Sequence, residues 1–380
     1  MKKNILAATI AVSFFVSAQV LKAEEQLTLH ELMQNEMSLF DQNAAKEQRN
    51  NVPLLEKLDS QNVNLSRIFT VDLRHDENFL RAIDGSIQFY TNILDTSETF
   101  QYGHESYSPL QMLHSLILFR KMLAKDRPYE EFLLELKQHF DVYQPKSNDS
   151  GSKFTGYYTP EIQASPTKTK QLNYPLYLSH SKVKASKPDF YVQSRKDIKA
   201  LEMEGAGILS LNDGGTLNLQ YAGRKTVLDK ILAKKIKVVK KTVRVNGKKY
   251  VKVLKVKRQP ETKAVFYVAD NGPLGALSTQ LVPGYSAAMD MDLTPSGSLI
   301  YIKSNDNSTK NTKSEEDKKT GFESFMLVHD TGGAIKGPGR VDIYCGEGSN
   351  AKNCTYNVSS RGSVYLLVAK KESLLDFSSE

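Results

Sequence analysis

Residues 329–348 read HDTGGAIKGPGRVDIYCGEG, with two carboxylates, Asp330 and Asp342, at either end of a run holding four glycines and one proline. If 340–344 is a strand, Arg340, Asp342 and Tyr344 share one face, while Val341, Ile343 and Cys345 share the other. An acid turned from such a strand into an aromatic-lined groove is desolvated. Its pKa rises and it keeps its proton near neutrality. A protonated carboxyl beside a glycosidic oxygen is a general acid. The glycines would let a bulky substrate come close to the backbone, because no side chain stands in the way. Spacing alone leaves a plainer reading open, in which an Asp caps a turn and glycine supplies positive φ.

Other chemistries find less support. The seven histidines (His30, His75, His104, His114, His139, His180, His329) are scattered, and none forms a helical pair around a Glu. No G-x-S-x-G elbow appears. The run GGAIKGPG lacks the spacing of a phosphate loop, and neither nucleotide nor nucleic acid suits a chain that is exported. A thiol nucleophile with His329 as its base is conceivable, but Cys345 and Cys354, nine positions apart, suit a disulfide closing a short loop.

The elements that must position these residues change along the chain. MKKNILAATIAVSFFVSAQVLKAEEQ has a basic start, a short apolar run and small residues at Ala18 and Ala23. It reads as a secretory signal peptide with no lipidated cysteine (1–23), and the run is too short for a spanning helix. That placement implies an oxidising compartment, periplasm or envelope. Apolar residues at three- and four-residue spacings over 24–145 predict helices, one starting at Ser108–Pro109. PKSNDSGS (145–152) reads as a linker, and the strand patterns beyond it make the rest mainly β, as in barrels or sandwiches. SNDNSTKNTKSEEDKKTG (304–321) reads as a polar loop. With no Trp in the chain, stacking platforms must come from its 18 Tyr and 16 Phe. The net charge of +8 is local: residues 224–258 hold 15 Lys or Arg against one Asp, so the remainder is net acidic. Within that segment TVRVNGKKYVKVLKVK predicts a hairpin about Asn246-Gly247. An anionic wall or membrane surface is the partner such a segment (hairpin 236–257) would meet.

DTGGAIKGPGRVDIY resembles the carboxy-terminal three-aspartate (3D) barrel motif of the membrane-bound lytic murein transglycosylase A (MltA) family. Asp330 and Asp342 match its second and third aspartates, and Asp290 in AAMDMDLTPSGSLIYI its first. FTGYYTPEIQAS (154–165), YPLY (174–177), LNLQYAGRK (217–225) and GPLGALSTQLVPGYSAAMD (272–290) resemble further family segments in the same order. The resemblance implies a double-psi β-barrel (146–165 and 266–380) with a second β domain inserted (166–265), behind an α-helical N-terminal region. It implies a glycan groove between the barrel and the inserted domain and Asp342 as the single catalytic acid/base, with Asp330 in support. It implies peptidoglycan strands as substrate, with contacts from Thr155, Gly156, Tyr157, Tyr158, Glu204, Tyr221, Asp290, Gly332, Gly333, Lys336 and Tyr344. No metal or cofactor is implied. Two departures stand out: EGAG (204–207) puts Glu204 where the family usually has Gln, and the basic hairpin replaces a largely helical stretch. A β-1,4-glycan hydrolase using Asp342 with Asp330, and a non-catalytic wall-binding protein, are the rival expectations.

Overall fold

The computed structural model describes residues 54–59, 64–146, 151–179, 188–226, 236–245, 248–257, 262–305 and 322–375. The leader expected at 1–23, the start of the helical region, most of the 304–321 loop and the Asn246-Gly247 turn lie outside these residues.

The first described part layers helices against short strands. It runs β1 (Leu55–Lys57), α1 (Leu65–Ile68), α2 (Glu77–Asn92), β2 (Phe100–Tyr102), β3 (Glu105–Tyr107), α3 (Pro109–Leu123), α4 (Tyr129–His139) and β4 (Phe140–Pro145). α2 begins where the Asp76 carboxylate accepts the amides of Asn78 and Phe79, both at 2.9 Å. α3 begins with a reciprocal Ser108–Gln111 capping box and proline in its first turn. Their buried faces supply Phe79 and Phe119, which meet Phe325 of the sheet at ring-centroid distances of 6.0 and 5.7 Å. These helices brace the larger barrel from outside.

β5 (Ser152–Thr159) belongs to that barrel. At Pro160 the chain leaves it for a second one: β6 (Glu161–Ser165), β7 (Tyr174–Leu178), β8 (Phe190–Val192), α5 (Arg195–Glu204), β9 (Ala206–Leu211) and β10 (Thr216–Thr226). β11 (Ile236–Val245) and β12 (Lys248–Lys257) follow as a separate two-stranded ribbon, and β13 (Thr262–Ala269) completes the barrel. Its closed order is β10-β13-β7-β8-β6-β9, around Ala164, Leu176, Val192, Leu209, Leu219 and Phe266. The two ladders therefore part inside the stretch 146–165 that the sequence reading gives to one barrel.

The chain then returns to the first barrel with β14 (Ser286–Ala288), β15 (Leu299–Ser304), β16 (Glu323–Asp330), β17 (Arg340–Glu347), α6 (Gly348–Asn357), β18 (Ser360–Ala369) and α7 (Lys371–Leu375). The sheet order is β1-β4-β18-β15-β16-β14-β17-β5, and β18 also pairs with β5. That extra pairing closes a six-stranded ring. The described residues are thus mainly β, built on two closed rings.

Candidate active site

The acids assemble around one small residue. Ala288, at the end of β14, is the Cα partner of Asp342 on one side and of Asp330 on the other. Two neighbouring strand spacings put the two acidic strands about 10 Å apart. On its far side β17 pairs in parallel with β5, setting Asp342 beside Thr155 and Tyr344 beside Tyr157. Burial alternates as expected over 340–343, with Val341 and Ile343 buried opposite Asp342, whereas Tyr344 is buried as well.

Asp342 keeps 16% of its side chain exposed. Burial pushes its carboxyl up, against the pull of Arg340 and Lys153. Arg340 donates to it at 3.3 Å and, from the same nitrogen, to Thr155 Oγ1 at 2.9 Å. Asp330 sits at a partly exposed position, yet protein encloses its carboxyl group. Oδ1 accepts the amides of Ala276 and Thr331, both at 2.9 Å. Burial outweighs those bonds and raises its pKa to about 6, with the charge of Asp342 adding to the effect. The Tyr157 hydroxyl is buried near this carboxylate without a hydrogen bond of normal geometry, and its pKa is raised by burial first and by the Asp330 charge second.

The second barrel contributes a third acid. α5 ends at Glu204, where Gly205 adopts φ 76° and turns the chain into β9. The Glu204 carboxylate accepts the Tyr158 amide of β5 at 3.3 Å. Burial raises its pKa, and the Asp342 charge raises it further. Glu204 thus reaches β5, the strand beside β17, where the two barrels meet, a join that Gln220 reinforces by donating to the Leu274 carbonyl. Tyr221 lies farther along β10, with its hydroxyl on Glu202 at 3.3 Å.

Several residues expected at the substrate have other duties. Tyr344 is 1% exposed; its ring packs 5.3 Å from that of Tyr157 and its hydroxyl pairs with Thr159 at 2.9 Å. Its ring and hydroxyl are both engaged within the protein. Asp290 is 4% exposed and accepts the Gly337 amide at 2.9 Å and Lys336 Nζ at 3.3 Å. It fastens the glycine loop. Gly156 faces α6, where a Cβ would lie 2.7 Å from Val358, 2.9 Å from Thr355 Cα and 3.1 Å from Cys345 Sγ. Its small size makes room for this packing. Gly333 and Gly337 do open onto free space, and at Gly337 φ is 96°, so any side chain there would be strained by the backbone alone. Gly332 is half-buried, and Lys336 remains 60% exposed over the loop.

His329 and the cysteines are separate from one another. His329 is fully buried between Ser86 (3.0 Å) and Ser286 (2.8 Å), and burial pushes its pKa down to about 3. Cys345 and Cys354 form a disulfide with a Cα–Cα distance of 5.9 Å, tying the end of β17 to α6. Replacing both by Ser should lower unfolding free energy by about 2.5–3 kcal/mol on loop-closure grounds. Denaturant titration of the oxidised protein and the double variant measures it. An equal midpoint and slope in both would contradict the bracing role.

Residues 285–368 match the 3D domain family model. The membrane-bound lytic murein transglycosylase A of Escherichia coli K12 is 28% identical over 258 residues, spanning 60% of this chain and 69% of that protein. The chain is an MltA homologue. The O157:H7 strain's protein gives the same figures. The crystal structure of E. coli MltA with bound chitohexaose superposes at a TM-score of 0.54 and 19% identity, over 86% of this chain and 97% of that one. The Agrobacterium tumefaciens membrane-bound lytic murein transglycosylase superposes at 0.53 and 16%, over 83% and 97%. The MltA fold is therefore shared well beyond the 3D segment.

Sequence reasoning gave no role to two contributors in this homologue. Arg340 was legible as an i, i+2 neighbour of Asp342 on one strand face. The Ala276 amide was not, since a backbone donor 54 residues distant leaves no trace in residue types.

Proposed function

We propose that the chain is an exported peptidoglycan lytic transglycosylase in which Asp342 alone serves as acid and then base. The E. coli homologue bears the name of a lytic murein transglycosylase and was crystallised with chitohexaose. The observation that carries the reading is the contrast between the two acids on either side of Ala288. Asp342 is reachable, pushed up in pKa by burial and bound by one long contact, whereas Asp330 has an oxygen committed to two backbone amides.

In this mechanism the protonated Asp342 gives its proton to the oxygen linking N-acetylmuramic acid to N-acetylglucosamine, and the bond from that oxygen to the muramyl C1 breaks. The carboxylate then takes the proton of the muramyl 6-hydroxyl as that oxygen bonds to C1. The product is a 1,6-anhydro end, and no water is consumed. Arg340 holds Asp342 on its strand face, and Thr155 holds Arg340. Thr155, Tyr158, Glu204, Tyr221, Gly332, Gly333 and Lys336 are the residues assigned to the glycan, in a groove between a double-psi barrel and the inserted barrel. The leader sequence supports delivery to the envelope.

The test is the product. Purified peptidoglycan digested in isotopically labelled water should yield muramyl ends one water lighter than hydrolysis gives, with no solvent oxygen. Fully hydrated, labelled reducing ends would sink the transglycosylase reading in favour of a hydrolase.

A further inference from the structure

The ribbon β11–β12 has no evident part in the site. Its strands pair over ten rungs, from Ile236↔Lys257 to Val245↔Lys248, which makes it about 34 Å long. Among the described residues it hydrogen-bonds to no third strand. A lone two-stranded ribbon is marginal in water, and this one carries a further penalty. The register sets Lys241 opposite Lys252 and Arg244 opposite Lys249, and like charges directly opposite destabilise a ladder. Residues 236–257 hold nine Lys or Arg, ten Val, Ile, Leu or Tyr, and no acid. Nothing within the ribbon offsets the repulsion; an external anion would.

We propose that this ribbon docks on an anionic lipid headgroup layer. A soluble anionic polymer would answer the nine charges and leave ten apolar residues without a use. A headgroup layer answers both, the charges through anionic lipid and the apolar residues at the acyl boundary. The inference is independent of what the groove cleaves.

The fold supplies a clean test. Thr226 and Thr262 are Cα partners at the end of the β10–β13 ladder, so a two-residue Asn-Gly turn can replace 227–261 and leave the second barrel closed. The intact chain should co-sediment with vesicles of two parts phosphatidylcholine to one part phosphatidylglycerol, and release as salt is raised. It should ignore pure phosphatidylcholine. The excised chain should lose vesicle binding while keeping its action on soluble glycan. Lys252→Glu converts a repulsive rung to an attractive one, so amide protection in the ribbon should hold or improve. Binding should nevertheless weaken about 30-fold, near 5-fold for each of two charge units. Equal binding by intact and excised chains, or equal binding to neutral vesicles, would overturn the proposal. Ribbon-dependent binding to lipid-free sacculi but not to vesicles would also overturn it, assigning the ribbon to a wall polymer.

Discussion

Asp342→Asn should abolish turnover while the protein stays folded and still binds glycan. The amide has nearly the same volume, so the β17 face and the contact with Arg340 tolerate it. What disappears is a group able to release a proton to the leaving oxygen and recover one from the muramyl 6-hydroxyl. General acid–base assistance is worth about 10²–10⁴-fold. With one residue performing both transfers, the loss should reach the upper end of that range or beyond it. Single-turnover digestion of purified peptidoglycan, beside a binding isotherm on the same strands, separates chemistry from recognition. Wild-type rates in the variant would remove Asp342 from the mechanism.

Asp330→Asn should make the protein more stable at neutral pH and less active. The native carboxyl holds its proton up to about pH 6, against an ordinary value of 3.8. Between those values the folded state binds more protons than the unfolded chain. The contribution of Asp330 therefore favours folding in full below pH 3.8 and is lost as pH rises through 6. A shift of that size corresponds to about 3 kcal/mol. The amide is never ionised and its oxygen can still accept the Ala276 and Thr331 amides. The variant should match wild type near pH 4 and exceed it by roughly 3 kcal/mol at pH 8, as denaturant titration at both pH values would read. A gap independent of pH would show that the carboxyl is not held protonated by the fold. Its turnover should fall less than that of Asp342→Asn, as a supporting role for Asp330 requires.

Much of this site was legible because strand parity is a local property. Once 340–344 is a strand, the faces of Arg340, Val341, Asp342 and Ile343 are fixed without reference to any other residue. Ser108–Pro109 and the apolar spacing after them mark α3 in the same way. What required the structure was everything set by distant pairing. No pattern in the chain says that Ala288 separates the two acids, or that Asp290 fastens the loop at Gly337. Hydrophobicity cannot distinguish a tyrosine under a floor from one lining a groove, and Tyr344, expected at the glycan, is 1% exposed. Glycine is equally ambiguous. At Gly156 the missing side chain makes room for α6, while at Gly337 it permits a backbone turn beside open space. The closure of the larger barrel through β5 and β18 was unreadable for a related reason, because strand order depends on which edges meet.

The pairing of Asp342 with Thr155 joins residues 187 positions apart, and the ring closes only when β18 reaches β5. Bringing such remote segments together is entropically slow compared with closing local hairpins. A growing chain that ends anywhere before residue 360 lacks the strand that completes the larger barrel, however well its helices and second barrel have formed. On the proposed export route, a wall-cutting enzyme wired in this way would be incomplete throughout synthesis and threading across a membrane. Its cutting edge would come into being last, when the carboxy-terminal strand arrives.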